Sequence, residues 1–304
     1  MDTDILKKVT FPSEGVTCSA WLGIPEHATG ERRPAIVLGH GFGALKEALI
    51  VEAEHLTRAG FVTLAIDYRG FGESGGATRG NLFPLDQVED FRNAISWLQA
   101  RDDVDPDRIG IWGMSFGGGI VIQTAAVDRR VKAVVSIVPV VNGRRWLHSL
   151  WGADRFEQLR LLAEADRKSR FETGVSGRIP LVGMEMPAAI TMDARGAAQY
   201  MKIQEQPKRP KMQGTADLSI ESIEKIIEFA PDQYIHLIAP RPLMIMAAAG
   251  WDMMHPIDQI QETFAKAGVP KQLVALPCEG NEIYVPPALD QLFDAATDWY
   301  RKHL

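Results

Sequence analysis

The sequence predicts an α/β fold in which a mostly parallel sheet is covered by helices on both faces. Short apolar segments rich in β-branched residues alternate with amphipathic helical segments along much of the chain. This alternation is typical of a parallel sheet that is buried on both faces. One apolar segment, 109–112, runs directly into Gly-Met-Ser-Phe-Gly at 113–117 and then into an apolar helix. With 304 residues, 46% of them hydrophobic, the chain is long enough for a large core.

The predicted elements follow from periodicity and from turn residues. The segment 86–101 is a clear helix because Val88, Phe91, Ile95 and Leu98 fall on one face. Further helices are predicted after residue 115 and at 48–59, 257–267 and 288–303. Strands are predicted at 9–11, 17–24, 35–38, 61–66, 109–112, 131–138, 243–248 and 272–276.

The pattern changes between residues 142 and 239. This segment has charged helical runs at 155–171 and 220–229 and a Met-rich apolar run at 181–192. Such a long excursion between two strands is most simply an inserted cap. We therefore predict a core formed by 1–141 and 240–304, with a mainly helical cap at 142–239.

Composition limits the choice of partners. The net charge of −6 and the pI of about 5.7 argue against nucleic acid and anionic membranes. No apolar stretch reaches the roughly 20 residues that cross a bilayer, and no apolar run follows the first charged residues as in a signal peptide. Cys18 and Cys278 are the only cysteines, which suits a reducing compartment. We expect a cytoplasmic protein without nucleic-acid or membrane partners, and a homodimer stays open.

One glycine motif does not support a cofactor. Gly70, Gly72 and Gly75 match the spacing of the dinucleotide fingerprint and follow a strand. That fingerprint needs a helix to begin at its glycines, whereas the residues that follow are typical of a loop. No His, Cys or Asp cluster has the spacing of metal ligands either. We therefore predict neither a cofactor nor a metal.

Ser115 is the candidate nucleophile. A serine in the middle of a tight strand-to-helix turn takes a strained backbone, and flanking glycines remove the side chains that would clash. The strain lifts the hydroxyl above the edge of the sheet, and the helix N-terminus beneath it favours developing negative charge.

On these motifs the chain resembles the α/β-hydrolase superfamily, and more narrowly the branch of dienelactone hydrolases and capped acyl esterases. The motifs are His-Gly-Phe-Gly at 40–43, Asp-Tyr-Arg-Gly-Phe-Gly-Glu-Ser at 67–74, Gly-Met-Ser-Phe-Gly at 113–117 and Arg-Pro-Leu at 241–243. The resemblance implies an eight-stranded, mostly parallel sheet with a cap over its C-terminal edge. It also implies a nucleophile at Ser115, oxyanion-hole amides at Phe42 and Phe116, and an acid at Asp252.

The same resemblance implies a catalytic histidine after the last strand, where Asn281 stands instead. A carboxamide cannot accept a proton near neutral pH, so Asn281 cannot be a general base. His255, three residues after Asp252, and Glu282 are candidates for a relocated base. For both, a packed or solvated side chain is the commoner situation. The sequence therefore predicts an incomplete Ser-His-Asp triad.

Three interpretations of Asn281 stay open. It is an engineered substitution, a natural change that accompanies different chemistry, or the mark of a ligand-binding pseudo-enzyme. Because Cys278, Glu279, Glu282 and Ile283 also depart from the pattern of the superfamily, we favour natural divergence. The leading hypothesis is non-hydrolytic chemistry at a carbonyl held in the oxyanion hole, in secondary metabolism: carbon–carbon bond or ring formation, conjugate addition, elimination or isomerisation. The alternative is a serine carboxylester, lactone or thioester hydrolase.

A bulky, apolar small molecule is the expected substrate. The cap is rich in aromatic and methionine side chains, which suit an apolar pocket. The residues that we expect at the pocket are His40, Met114, Trp146, Met184 and Trp251. Further candidates from the cap are Trp151, Phe156, Met186, Met192, Tyr200 and Met201.

Overall fold

The computed structural model describes residues 5–26, 32–206 and 214–304. An eight-stranded sheet forms its centre. The strands of this sheet are β1 (Leu6–Ser13), β2 (Val16–Gly23), β3 (Arg33–Gly39), β4 (Val62–Ile66), β5 (Val104–Met114), β6 (Val131–Ile137), β9 (Leu243–Ala248) and β10 (Lys271–Leu276). Two short strands outside it, β7 (Arg178–Pro180) and β8 (Asp217–Ser219), pair with each other.

The strand order is β1-β2-β4-β3-β5-β6-β9-β10. β2 is antiparallel to both β1 and β4, and every pair from β4 to β10 is parallel. All residues of β4 and β9 are buried, which explains why these strands are continuous apolar runs without alternation. The predicted eight-stranded, mostly parallel sheet is confirmed.

Helices cover both faces of this sheet. The helices are α1 (Ile50–Arg58), α2 (Pro84–Gln99), α3 (Phe116–Val127), α4 (Gly143–Thr173), α5 (Ala194–Gln204), α6 (Glu221–Glu228), α7 (Ile257–Lys266) and α8 (Ala288–His303). The apolar faces of α2 and α3 belong to one core layer, and those of α1 and α8 belong to the other. Because the sheet strands from β4 onward are parallel, their carboxyl ends meet at one edge of the sheet.

The chain between β6 and β9 holds α4, β7, α5, β8 and α6. α4 begins earlier than predicted because the Asn142 side chain caps it by accepting the Arg145 backbone N–H at 3.1 Å. It is interrupted at Gly152, where φ is 70° and ψ is 172°. Sequence patterning missed β7 and β8, since three residues are too few for strand periodicity. The division into core and cap stays a prediction.

An ion-pair network around the buried Lys46 anchors the loop after β4. Lys46 Nζ, which is fully buried, lies 2.7 Å from Asp67 Oδ2 and 2.7 Å from Glu73 Oε2. The Lys46 backbone N–H donates to Asp67 Oδ1 at 2.7 Å. Asp67 thus holds together the two loops that follow β3 and β4, and the Asp-Tyr-Arg-Gly motif serves the scaffold here. Gly70 and Gly72 lie in turns, Gly75 lies in irregular backbone, and the next helix begins only at Pro84.

The sequence also led to expectations about membrane spans, metal sites and cysteines. Within the described ranges, no helix is long and apolar enough to cross a membrane. Over the same residues, no group of three or more His, Cys, Asp or Glu side chains could hold a metal ion. Cys18 and Cys278 are both free thiols.

Candidate active site

Ser115 lies on the turn between β5 and α3. Its backbone has φ 54° and ψ −118°, a region that costs a non-glycine residue of the order of 1–3 kcal/mol. The turn persists because the backbone around it is tied down. The Ser115 N–H donates to the Ile137 carbonyl at 2.8 Å, and the Ser115 carbonyl accepts from Gly118 at 2.9 Å and from Val140 at 3.1 Å.

The glycine that follows the turn is required by close packing. A Cβ at Gly117 would lie 2.4 Å from the His40 carbonyl oxygen, which is far inside van der Waals contact. The first turn of α3 therefore rests directly on the backbone at the end of β3. This approach brings the loop after β3 close to Ser115.

Ser115, His255 and Asp252 form a hydrogen-bonded chain. Ser115 Oγ lies 2.8 Å from His255 Nε2, and His255 Nδ1 lies 2.9 Å from Asp252 Oδ2. The His255 and Asp252 side chains are 3% and 4% exposed. If Nδ1–H donates to the carboxylate, Nε2 is left as an acceptor that faces the serine hydroxyl.

The loop after β9 positions both partners of Ser115. Asp252 Oδ1 accepts the backbone N–H of Met254 at 2.9 Å and of His255 at 3.0 Å. Burial favours a higher pKa for Asp252, but the charge and the hydrogen bonds of His255 and the two backbone amides outweigh it. The pKa of Asp252 is therefore lowered, and the carboxylate stays ionised opposite the imidazole.

The predicted incomplete triad is corrected by this geometry. Asn281 does stand in the turn after β10, but the imidazole beside Ser115 comes from His255 on the loop after β9. The expectation that the site lacks an imidazole is therefore wrong. The reason is local. The Asp252 carboxylate binds two backbone N–H groups of its own loop and the His255 ring, and these bonds place the imidazole beside Ser115.

Glu282, the other candidate base, is engaged elsewhere. Its carboxylate pairs with Lys202 Nζ of α5 and accepts the Glu279 backbone N–H at 3.4 Å. The hydrogen bond from Lys202 holds the pKa of Glu282 below its usual value. The structure does not bring this carboxylate to Ser115.

The two predicted oxyanion-hole residues lie on either side of Ser115. Phe116 is the first residue of α3, and N–H groups of a first turn have no acceptor within their helix. Phe42 follows Gly41, where an added Cβ would lie 3.6 Å from Ser115 Oγ. Within the part of the chain that the structure describes, neither the Phe42 nor the Phe116 N–H donates to a backbone carbonyl, so their assignment to an oxyanion hole stays a prediction.

A cavity of about 340 Å³ opens above Ser115 and His255. Its wall is mostly apolar and comes from both the sheet edge and the chain between β6 and β9. The residues that line it are Gly41, Phe42, Gly43, Ala44, Met114, Ser115, Leu181, Val182, Ile190, Met192, Tyr200, Ile203, Gly214, Met254, His255, Asn281 and Tyr284. Met114, Met192 and Tyr200 agree with the sequence expectation. The aliphatic residues at 181, 182, 190 and 203 go beyond it, although the apolar run at 181–192 was a signal for three of them.

Eight expected pocket residues do not line this cavity. They are His40, Trp146, Trp151, Phe156, Met184, Met186, Met201 and Trp251. His40 is fully buried, with its ring centroid 4.5 Å from that of Tyr68. Trp146 is buried behind the wall and donates its indole N–H to the Met254 carbonyl at 2.7 Å. Trp251 lies under the Arg195 guanidinium at 4.5 Å, and Met184 is 78% exposed. His40 and Trp146 are buried packing residues.

The sheet and the strained turn that carries Ser115 define an α/β hydrolase. More specifically, the chain belongs to the family described as X-Pro dipeptidyl-peptidase (S15 family), whose model matches residues 14–275. This match confirms the resemblance to the α/β-hydrolase superfamily and its acyl esterases.

Three relatives illustrate the range of this family. An uncharacterized 31.7 kDa protein of the traX-finO intergenic region of Escherichia coli is 30% identical over 283 residues, which are 90% of this chain and 92% of that protein. The polyketide transferase grgF of a Penicillium species is 25% identical over 292 residues, 96% of this chain and 94% of its own. The crystal structure of GrgF gives a TM-score of 0.81 at 24% identity and covers 98% of each chain. The thiohydrolase aneE of Aspergillus aculeatus is 38% identical over 110 residues, 36% of this chain and 35% of its own. That two of these relatives are named as enzymes supports a catalytic role for this chain.

Proposed function

We propose that this protein transfers the acyl group of an apolar ester or thioester through Ser115, with His255 as general base and Asp252 as the residue that orients it. The observation that carries the proposal is the 2.8 Å contact between Ser115 Oγ and His255 Nε2, backed by the 2.9 Å contact between His255 Nδ1 and Asp252 Oδ2. Serine acyl transfer needs a nucleophile, a base that contacts it and a carboxylate that orients the base, and these contacts have that order.

The first half of the reaction forms an acyl-enzyme. His255 Nε2 takes the hydroxyl proton as Ser115 Oγ attacks the substrate carbonyl. The carbonyl oxygen becomes negative and accepts hydrogen bonds from the Phe42 and Phe116 amides. Two preorganised donors of this kind commonly lower the barrier by several kcal/mol. The imidazolium, which Asp252 stabilises, then gives its Nε2 proton to the departing alkoxide or thiolate, so that the ester or thioester bond breaks.

The second half releases the acyl group. An acceptor, either water or another nucleophile, loses its proton to His255 Nε2 as it attacks the acyl-enzyme. Collapse of the tetrahedral intermediate breaks the bond to Ser115 Oγ, which recovers the proton from His255. The same three side chains serve both halves, and no cofactor is needed.

The cavity supports an apolar acyl group as the substrate. At about 30 Å³ for each water-sized volume, the cavity of about 340 Å³ has room for an acyl group of roughly ten non-hydrogen atoms. Of the three relatives described above, one is named a polyketide transferase and one a thiohydrolase. These names favour a thioester as the acyl donor.

Transfer to an acceptor other than water is the second candidate. It is favoured by the similarity to a polyketide transferase over 96% of this chain, and it keeps the non-hydrolytic character that the sequence led us to expect. Because His255 supplies a base, enolate chemistry without a covalent step is no longer needed to explain the site. Adding hydroxylamine or a thiol to the assay and measuring how the acyl group divides between this acceptor and water distinguishes transfer from hydrolysis.

Active-site labelling and ester turnover test the proposal. We expect a fluorophosphonate probe to label Ser115 and the protein to hydrolyse p-nitrophenyl octanoate. Loss of the triad histidine costs a serine protease about 10⁶-fold in turnover. His255→Gln is therefore expected to lose nearly all activity, to the level of Ser115→Ala. Since the two residues act as one unit, the double variant is expected to be no worse than either single variant.

Asn281→His is the matched control, because it places an imidazole at the position that the superfamily pattern predicts. If His255 is the base, this variant gains no new activity. A protein that is inert until Asn281→His is introduced would contradict the proposal, as would a His255→Gln variant that retains its full Ser115-dependent rate.

A further inference from the structure

The turn that carries Asn281 is held at several points. Residues Gly280–Tyr284 form a 3₁₀ turn whose start is closed by a reciprocal capping box between Glu279 and Glu282. Each of these glutamates also pairs with a cation of α5, Glu279 with Arg195 and Glu282 with Lys202. The two glutamates that depart from the superfamily pattern thus form a fixed support for the turn.

Asn281 stands between the two glutamates and faces the substrate cavity. Its backbone N–H donates to Gln199 Oε1 at 3.3 Å, which fixes the residue against α5. Asn281 lines the same cavity as Ser115 and His255. The side chains of Ser115 and His255 are hydrogen-bonded to each other. By contrast, no hydrogen bond of the Asn281 side chain is found within the described part of the chain.

A carboxamide offers both an acceptor oxygen and two donor hydrogens. Before a substrate binds, water can satisfy these groups. A purely apolar acyl group would displace that water and leave the carboxamide unsatisfied, which opposes binding. An acyl group with an oxygen of its own would replace the water. Sites that bind a polar group through hydrogen bonds discriminate strongly against analogues that lack it.

We propose that Asn281 is a specificity residue that hydrogen-bonds a second oxygen of the acyl group. The substrate class is then an ester or thioester of an oxo- or hydroxy-acyl chain, in preference to a plain alkanoyl chain. This inference rests on the proposed acyl transfer through Ser115. It also gives a role to the asparagine that stands where the superfamily pattern has histidine. Since His255 on the loop after β9 supplies the base, residue 281 can recognise the substrate instead.

Paired thioesters test this inference. The substrates are the octanoyl, 3-oxooctanoyl, 5-oxooctanoyl and 3-hydroxyoctanoyl thioesters of N-acetylcysteamine. Each kcat/KM is divided by the uncatalysed hydrolysis rate of the same thioester, which removes differences in intrinsic reactivity. We expect the protein to prefer at least one oxygenated chain over octanoyl by about tenfold or more. Asn281→Leu, which keeps the size and removes the polar atoms, is expected to abolish that preference.

Controls separate recognition from folding. Gln272→Leu removes a comparable carboxamide from an exposed position on β10 and is expected to keep the preference. Asn281→Ala is a second variant at the site, and thermal unfolding and fluorophosphonate labelling establish that each variant has an intact fold and serine. A wild-type protein without preference, or folded Asn281 variants that keep it, would overturn this inference alone. Absence of Ser115-dependent turnover for every thioester would overturn the proposed function, and this inference with it.

Discussion

Asp252 and His255 are three residues apart, so one short loop aligns both the carboxylate and the imidazole of the site. The Asp252 carboxylate accepts two backbone N–H groups of this loop, from Met254 and His255, and the His255 ring as well. The orientation of the imidazole is therefore set by local hydrogen bonds. The hydroxyl, the imidazole and the carboxylate thus form one hydrogen-bonded chain without a side chain from position 281.

The lowered pKa of Asp252 predicts how stability changes with pH. A carboxyl group whose pKa is depressed by folding contributes stability above its unfolded pKa, about 3.9 for Asp, and loses it as the pH falls through the folded pKa. We therefore expect Asp252→Asn to be less stable than the wild type at pH 6, and we expect this difference to shrink below about pH 4. Urea-unfolding midpoints of both proteins between pH 3 and pH 7 measure it. A difference that is constant, or that grows on acidification, would count against this account of the carboxylate.

Single residues also show how far the sequence alone could reach. Motif spacing and strand ends are enough to place Ser115, Asp252, Phe42 and Phe116 at one edge of the sheet. His255 is only a candidate on the same information, because the direction of its side chain depends on the hydrogen bonds that Asp252 makes within the loop. No pattern of residue types reveals those bonds before the loop is built.

At the scale of elements, α3 and α4 differ in what patterning could predict. The start of α3 follows from the elbow motif, and it is found at Phe116. α4 begins at Gly143, well before its charged run, because the cap at Asn142 and the packing of Trp146 determine its first turns. The Trp146 ring centroid lies 5.2 Å from that of Phe42 and 5.9 Å from that of Phe116. The first turn of α4 thus contacts both phenylalanines whose amides are proposed to form the oxyanion hole.

Trp146 is therefore expected to be a positioning residue for the site. Its indole N–H donates to the Met254 carbonyl at 2.7 Å, directly before His255. Trp146→Phe keeps an aromatic ring between the phenylalanines but removes this hydrogen bond and leaves the carbonyl unsatisfied. We expect kcat for p-nitrophenyl octanoate to fall by about tenfold, a loss of about 1.4 kcal/mol in transition-state stabilisation, with KM changed much less. Steady-state kinetics and the rate of fluorophosphonate labelling measure this effect.

The same helix offers a matched control for this prediction. Trp151 is also buried and also donates its indole N–H to a backbone carbonyl, that of Ala189 at 3.1 Å, but it does not line the cavity. Trp151→Phe is expected to lower the free energy of unfolding by roughly 1–3 kcal/mol while kcat stays near the wild-type value. Equal losses of kcat in the two variants would show that Trp146 acts only through general stability.

At the scale of the whole molecule, the cavity belongs to neither part of the chain alone. The edge of the sheet contributes Ser115, His255 and Met114 to its floor, whereas the chain between β6 and β9 contributes the apolar side chains from Leu181 to Ile203. The sequence indicated that this segment would carry a pocket. It could not indicate which side chains face inward, because much of the segment from 181 to 193 has no helical or strand period, so that its orientation depends on packing against the sheet edge.

If the proposed acyl transfer is right, the size of the acyl group that the protein accepts should depend on the cavity-lining side chains of the segment between β6 and β9. Met192 lines it, whereas Met184, eight residues earlier in the same apolar run, is 78% exposed and does not. Met192→Trp adds volume inside the cavity, and overpacking of this kind typically costs about 1–3 kcal/mol. We expect kcat/KM for p-nitrophenyl octanoate to fall by roughly tenfold to a hundredfold, while kcat/KM for p-nitrophenyl acetate changes little because the short acyl group stays near Ser115. Met184→Trp makes the same change outside the cavity and is expected to leave the ratio of the two values as in the wild type. If both variants shift that ratio equally, or if Met192→Trp does not shift it, the acyl group does not occupy this cavity.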